Sequence, residues 1–463
     1  MIAFVLAGAV LLGVLVYATR GDLRAVLFGL LCLVTLNNLA LPFHALPFRG
    51  GRVLATAALT GLAVLLFSIR ELRSGERRFV WVANLFNAYN VGLGLLLAVL
   101  VVYVTRTPNV AYGLDKTATF AFSVLVPAVA LSIFAPLDRR DVRIALVALA
   151  VGSLLVALQI TLNPQEFGDW RFRRSVSESI HPNNVARNIG LGVPILMGAL
   201  LFGRRLRLSV IAGAIGALAL LIAAILLTGS RGPMLAVAVG MVGLVLVRVR
   251  HFLTVRAIAR LAVVGTAAAI AGAVLFDRYI QHMPTWQRIA FYFQTVGQNT
   301  SDLSRLGRYA TAWNGFLDSK LMGVGTGGFT WLWTGPPPGG IFDGRDYPHN
   351  FVLEALVELG LPGAILVIAI VGGLALYFLR RLRTPEGVPD ETVILAGVWC
   401  YAVVNSSLSG DLATNYQMWV LGALLYVALR AIYDAPHDAP HGQTAPLAAQ
   451  AGESARGTPT EMS

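Results

Sequence analysis

Thirteen stretches of predominantly apolar residues, each close to one membrane crossing in length, limit what this chain can fold into. About 20 such residues cross the hydrocarbon core of a bilayer as an α-helix. Inside lipid every backbone N–H and C=O must be satisfied, and a continuously apolar run achieves that as a helix. The stretches cover residues 2–19, 23–41, 53–69, 79–104, 117–135, 142–163, 184–202, 207–227, 232–247, 259–276, 351–379, 391–408 and 412–432. The fourth is the least regular, because Asn84, Asn87 and Asn90 interrupt its first half. Charged residues make up 13% of the chain, against ~25% in a soluble domain. The expected fold class is therefore all-α: a polytopic integral membrane protein of about 12–13 transmembrane helices.

The first stretch, "MIAFVLAGAVLLGVLVYAT", lacks a basic start and a small-residue cleavage site, so it reads as a retained span. Cys32 and Cys400 both lie in apolar segments, where a structural disulfide is not expected.

Arginines set the orientation. Arg20 and Arg24 lie in the first connection, and Arg70, Arg73, Arg77 and Arg78 in the third. Arg139, Arg140 and Arg143, then Arg204, Arg205 and Arg207, follow the fifth and seventh spans. Arg248, Arg250, Arg256 and Arg260 follow the ninth, and Arg380, Arg381 and Arg383 the eleventh. Every second connection is short and Arg-dense, which marks it as cytoplasmic. The net charge of +12 is thus first a matter of loop orientation, and only then of a polyanionic partner. The expected organisation is membrane helices over 1–276, a large outer loop over 277–350, membrane helices over 351–432, and a cytoplasmic tail over 433–463. The tail is rich in Ala, Pro, Gly, Ser and Thr and is expected to be disordered. Its His437 and His441 read as free histidines rather than metal ligands.

The outer loop contains "SDLSRLGRYATAWNGFLDSK", which places Leu303, Leu306, Ala310, Trp313 and Leu317 at helical spacing, with Arg305 and Arg308 on another face. Ser301 or Asp302 is placed to cap this helix and Gly323 to end it. The stretch "TWQRIAFYFQTV" is aromatic enough for the membrane interface. The loop reads as a small helical cap.

Four groups of outer-side residues could carry chemistry, because an ionisable residue at the edge of an apolar slab is costly. In "TGSRGPML", Gly229, Gly232 and Pro233 break the chain around Arg231. The freed N–H groups and the positive end of the next helix make an anion site; the alternative is a tight turn whose arginine reaches lipid headgroups. In "HPNNVARNIG", Arg187 sits about one turn into a span, with Asn183, Asn184 and Asn188 nearby. It is a second phosphate clamp or a helix start ion-paired to Glu178. Arg305 and Arg308 share one helical face, as a clamp or as solvated charge. Finally, "RDYPHNFVLEALVELGLPG" puts His349 and Asn350 at the mouth of a membrane helix, with Glu354 and Glu358 below. A neutral imidazole there accepts a proton from a hydroxyl. The alternative is a helix cap with glutamates paired to arginines. His44, His181 and His282 are the other outer-side histidines.

Other patterns carry less. "GVGTGGF" lacks the Lys-Ser/Thr of a P-loop and reads as a turn after the cap helix. In "DGRD", Arg345 between the acids favours a local ion pair over a metal site. No His/Cys/Asp cluster has metal-ligand spacing, so no metal or cofactor is expected. No serine triad is visible.

The sequence resembles the O-antigen ligase/polymerase family of bacterial envelope glycosyltransferases. The matching pieces are "YGLDK" at Tyr112–Lys116, "SRG" at Ser230–Gly232, "RYATAWNGFLDSKLMGVGTGGF" at Arg308–Phe329, "HNFVLEALVELGLPG" at His349–Gly363 and "SGDL" at Ser409–Leu412. They run in the family's order from about Tyr112 to Trp419. The resemblance implies a metal-independent enzyme of the bacterial inner membrane with its active site facing the periplasm. It would move a glycan from undecaprenyl pyrophosphate to a hydroxyl, on a lipid A-core sugar in ligases or on a second lipid-linked glycan in polymerases. The expected partners are those two substrates and membrane lipid, with no nucleic acid.

Arginines would then meet the pyrophosphate, since guanidinium forks bind phosphate oxygens in pairs. Arg187, Arg231 and Arg308 are the expected clamps, with Arg305 beside them. His349 is the expected base on the acceptor hydroxyl, with Asn350 and Glu354 contacting or orienting the acceptor. Glu354, Asp346 and His181 are alternative bases. A protein O-oligosaccharyltransferase would share the donor. A transporter would share the broken helices and intramembrane asparagines, but transporter sites sit near the midplane.

Overall fold

The structure, a computed structural model, describes residues 22–36, 58–66, 68–69, 80–162, 182–203, 206–228, 230–252, 300–335, 345–384 and 387–434. The expected spans at 2–19 and 259–276, the tail beyond Asp434, and Glu178, His44, His181, His282, Gly229 and Asp343 lie outside these residues.

The described elements are helical: α1 (Leu23–Leu36), α2 (Val80–Leu85), α3 (Ala88–Val104), α4 (Val110–Phe120), α5 (Val126–Ser132), α6 (Arg139–Leu162) and α7 (Pro182–Phe202). They continue as α8 (Leu208–Thr228), α9 (Arg231–Phe252), α10 (Thr300–Asp318), α11 (Phe329–Thr334), α12 (Phe351–Leu382), α13 (Asp390–Leu408) and α14 (Tyr416–Asp434). A π-helical turn, Ala121–Leu125, joins α4 to α5. Six segments are long and apolar enough to cross a membrane: Val110–Ser132, Arg139–Leu162, Asn183–Phe202, Leu208–Thr228, Phe351–Leu382 and Asp390–Leu408. The molecule is an all-α, multi-pass membrane protein.

Ion pairs gather the arginine-rich helix ends at one end of the bundle. Arg143 at the start of α6 pairs with Glu391 at the start of α13, Arg24 with Asp141, and Arg140 with Asp22. The irregular stretch at 79–104 breaks into α2 and α3. Asn87 caps α3 by accepting from Asn90 N at 3.0 Å. The amides of Asn87 and Asn90 donate to Ser132 Oγ at 3.1 and 3.0 Å. These bonds give both asparagine amide donors partners inside the slab, where a polar group needs them, and leave Asn90 Oδ1 without one.

Close helix approach rests on missing side chains. A Cβ on Gly198 of α7 would meet Ile394 Cγ1 of α13 at 2.5 Å, and one on Gly397 of α13 would meet Leu244 Cγ of α9 at 2.6 Å. Small residues are what let membrane helices gain van der Waals contact, because lipid offers no hydrophobic drive.

The cap helix forms as α10, ending at Asp318 rather than running on to Gly323. Its turn passes through Lys320 and Leu321, both with positive φ. Ala312 and Phe316 are its buried contacts, with Phe329 and Val357 beneath Ala312. The stripe at Leu303, Leu306, Trp313 and Leu317 faces outward instead, at 47% exposure or more.

α12 is two helices in one. Gly360 has φ 64° and ψ −164°, which interrupts the helix below Leu359. Residues 361–382 alone make about 33 Å of helix, a full membrane crossing. Phe351–Leu359 therefore stands as a separate two-turn piece at the end of the bundle opposite the arginine cluster.

Candidate functional site

At the mouth of α12 the Asn350 side-chain carbonyl accepts from Val352 N and Leu353 N at 3.0 and 3.1 Å, satisfying two N–H groups of the first turn. Its amide donates to the Ser407 carbonyl at 3.2 Å. The cap thus also ties α12 to the end of α13. His349, just before it, has φ 63°, left-handed backbone that strains a non-glycine residue. Its ring meets Tyr347 edge-to-face at 4.5 Å. Burial pushes the Tyr347 phenol up to about 12, with Asp411 adding to the rise and Arg187 and Arg308 opposing it. Those influences put one phenol within electrostatic reach of both arginines.

Arg187 is buried at 6% exposure in the second turn of α7. Its backbone carbonyl accepts from Tyr401 Oη at 3.1 Å, which fixes the turn. Its guanidinium lies against the loop between α13 and α14: a Cβ on Gly410 would sit 2.5 Å from Arg187 Nη2 and 2.5 Å from Asn415 Oδ1. Only glycine fits there, and Gly410 has φ 82°. Arg187 Nε has no hydrogen-bond partner among the described residues, and no described carboxylate forms an ion pair with Arg187. The charge of Asp411 acts on it without an ion-pair contact, and a buried guanidinium with an unpaired N–H is costly.

The loop itself, Ser409–Asn415, is held by Asp411, whose Oδ1 accepts from Thr414 N at 2.5 Å and whose N–H donates to Thr414 Oγ1 at 3.1 Å. Asn183 of α7 donates to Ser409 Oγ at 3.4 Å.

The other arginines differ in setting. Arg231 starts α9, and a Cβ on neighbouring Gly232 would reach Leu408 Cβ at 3.6 Å, so the start of α9 lies against the end of α13 from which the loop leaves. Arg308 pairs with Asp346 at 2.8 Å, donates to the Tyr347 carbonyl at 3.1 Å and lies 4.9 Å over the Trp333 ring. It holds the segment leading to His349. Arg305 is half-buried on α10, and no ion pair involves it among the described residues. Arg345 pairs with Asp115 at 3.4 Å, as the local charges of "DGRD" implied in kind though not in partner.

The two glutamates of α12 are paired with a lysine, not with arginines. Lys116 Nζ of α4 lies 2.6 Å from Glu358 Oε2 and in contact with Glu354 Oε1. All three side chains are 2% exposed or less. Glu354 also accepts from Leu412 N, at 3.0 and 2.9 Å to its two oxygens, and Glu358 Oε2 from Gly327 N at 2.9 Å. The sequence signal was present: the chain has two lysines, and one falls in an apolar span.

The glycine-rich turn has a structural task. At the Gly360 break the carbonyls of Val357 and Glu358 lose their helical partners, and Val324 N and Gly325 N supply new ones at 2.8 and 2.9 Å. Leu361 N donates back to the Leu321 carbonyl at 2.8 Å. A Cβ on Gly360 would lie 2.5 Å from the Met322 carbonyl carbon. Backbone meets backbone here, so neither side can carry a side chain at the contact. Among the described residues no group of three His, Cys, Asp or Glu side chains gathers to hold a metal ion.

Residues 216–368 match the family model described as O-antigen ligase. The finding supports the O-antigen ligase family. The matched part contains Arg231, Arg305, Arg308, His349, Asn350 and both glutamates. Arg187, Lys116 and the Ser409–Asn415 loop lie outside it and join the site through the fold. Comparison with curated proteins finds no match.

Proposed function

We propose that this protein is an O-antigen ligase-like glycosyltransferase that moves a glycan from undecaprenyl pyrophosphate to a hydroxyl of a lipid A-core sugar. The reaction would take place on the periplasmic face of the bacterial inner membrane. The observation that carries the reading is Arg187: a buried guanidinium in ion-pair contact with no described carboxylate, packed on the loop whose Leu412 N–H is held by Glu354 in the first turn of α12.

The donor's leaving group is a lipid pyrophosphate. Its headgroup sits at the membrane surface while its polyprenyl chain remains in lipid. Arg187 and Arg231 flank the Ser409–Asn415 loop and would hold the pyrophosphate oxygens, stabilising the charge that grows as the glycosidic bond breaks. Arg308 would complete the field through its hold on the Asp346–Tyr347 backbone, with Arg305 above it on the same helix. His349 would accept the proton of the attacking hydroxyl, a contribution of roughly 10²–10⁴-fold. Asn350 would orient His349, or the sugar, by fixing the helix mouth. Glu354 would act from beneath, orienting the loop rather than touching the sugar. The site's position at the end of the 361–382 crossing, not at its middle, favours transfer over transport.

The test is deletion of the gene, with surface glycolipids resolved on a gel, and complementation by wild type, Arg231→Ala and His349→Ala at matched expression. Bare lipid A-core with long glycan left on undecaprenyl pyrophosphate supports the ligase. A core carrying a single repeat means a polymerase. An unchanged profile sinks the lipopolysaccharide reading and brings forward protein glycosylation or transport.

A further inference from the structure

We infer that Lys116 is a positioning residue, which sets the two loops of the site through one buried ammonium. This rests on the transferase reading above.

Lys116 Nζ meets two carboxylates on successive turns of one helix, those of Glu354 and Glu358. Each carboxylate also accepts from a backbone N–H of a different loop. Glu354 takes Leu412 N, in the loop whose Gly410 packs on the Arg187 guanidinium. Glu358 takes Gly327 N, in the turn that follows α10 and so fixes the end of the helix bearing Arg308. The same turn docks its backbone on the Gly360 break. Two helices and two loops thus converge on one Nζ, and neither carboxylate has bulk water to hold it in place. A charge fixed at this point decides where both glutamates stand, and the glutamates decide where both loops stand. Lys116 touches neither substrate; it acts through the loops. Such displacement far from the reacting atoms is expensive: about 1 Å costs about 10²-fold in rate.

The experiment compares wild type with Lys116→Met/Glu354→Gln, which leaves the formal charge of the buried group at its wild-type value while removing the bridge. Glu354→Asp is the second variant: it keeps every charge but shortens the arm to Leu412. Each protein is purified in nanodiscs and supplied with an undecaprenyl-pyrophosphate-linked oligosaccharide and lipid A-core. Binding of undecaprenyl pyrophosphate counts competent sites. Hydrogen exchange is followed in peptides covering 323–328 and 409–415.

The expected result is a kcat per competent site about 10²-fold lower, an unchanged KM for the acceptor, and faster exchange in both peptides. Wild-type kcat per site in either variant overturns the inference, as does a loss of rate that only follows the number of competent sites. Unchanged exchange in both peptides overturns it independently of any activity. A wild-type protein that transfers nothing sinks the functional reading, while the exchange measurement still decides whether Lys116 sets the loops.

Discussion

Lys116 and Glu358 are separated by 242 positions in the chain, yet their charged atoms lie 2.6 Å apart inside the bundle. Removing one partner of such a buried pair leaves an uncompensated charge and costs about 3–5 kcal/mol. Lys116→Met is therefore expected to lose that much stability, read as the shift of the unfolding midpoint in a denaturant titration in detergent. Lys116→Met/Glu354→Gln should lose clearly less. Equal losses would mean that the pair does not behave as one buried charge cluster.

Arg187→Ala should lower glycan transfer by about 10²–10³-fold, the cost of removing one aligned donor to developing charge. Arg187→Lys should not restore it, since a single ammonium cannot reproduce the guanidinium fork. The check is a rate measurement in proteoliposomes, with folding followed by size-exclusion profile. A Lys variant at wild-type rate would show that only charge is required.

His349 carries two separable burdens, its ring and its left-handed backbone. Asn tolerates that backbone better than Ala does. His349→Asn is thus expected to unfold at the wild-type midpoint, while His349→Ala loses about 1 kcal/mol. Both should transfer about 10²–10⁴-fold more slowly if the ring is the base. Near-normal rates in His349→Asn would assign the position to backbone shape alone.

Gly360→Ala should be among the most damaging changes to a small residue. The backbone there has φ 64° and ψ −164°, a region essentially closed to side chains, and the new Cβ would meet Met322 backbone at 2.5 Å. A loss of about 3 kcal/mol or more is expected, seen as low yield and a lowered melting temperature. Gly373→Ala, with open space around its Cβ, is the control.

The membrane class, the alternation of arginine-rich connections and the cap helix were legible because each is written in local composition. A run of apolar residues needs no partner to declare itself, and an amphipathic helix shows its period within twenty residues or so. Arg187, His349 and Asn350 stood out for the same reason, as polar groups where the apolar pattern resumes. The glutamates were read as one face of one helix, which the structure keeps. Lys116 was conspicuous as one of two lysines, but its pairing could not be read, because it has no sequence relation to the glutamates. Pro362 hinted at a break beside Gly360 but not at its geometry. The Gly360 break is sustained by the N–H groups of Val324 and Gly325, over thirty positions earlier, which donate to the carbonyls it frees.

By itself the sequence determined that this chain is a bundle of membrane helices with its few uncommon charges at one end. Burial in lipid is a property of each segment taken alone. Only the tertiary structure decided that Arg187 rests on Gly410, that one lysine serves two glutamates, and that two loops hang from those carboxylates. Such contacts depend on which helices become neighbours. That choice is made by the sum of packing and hydrogen bonding over the whole bundle, which no local pattern contains.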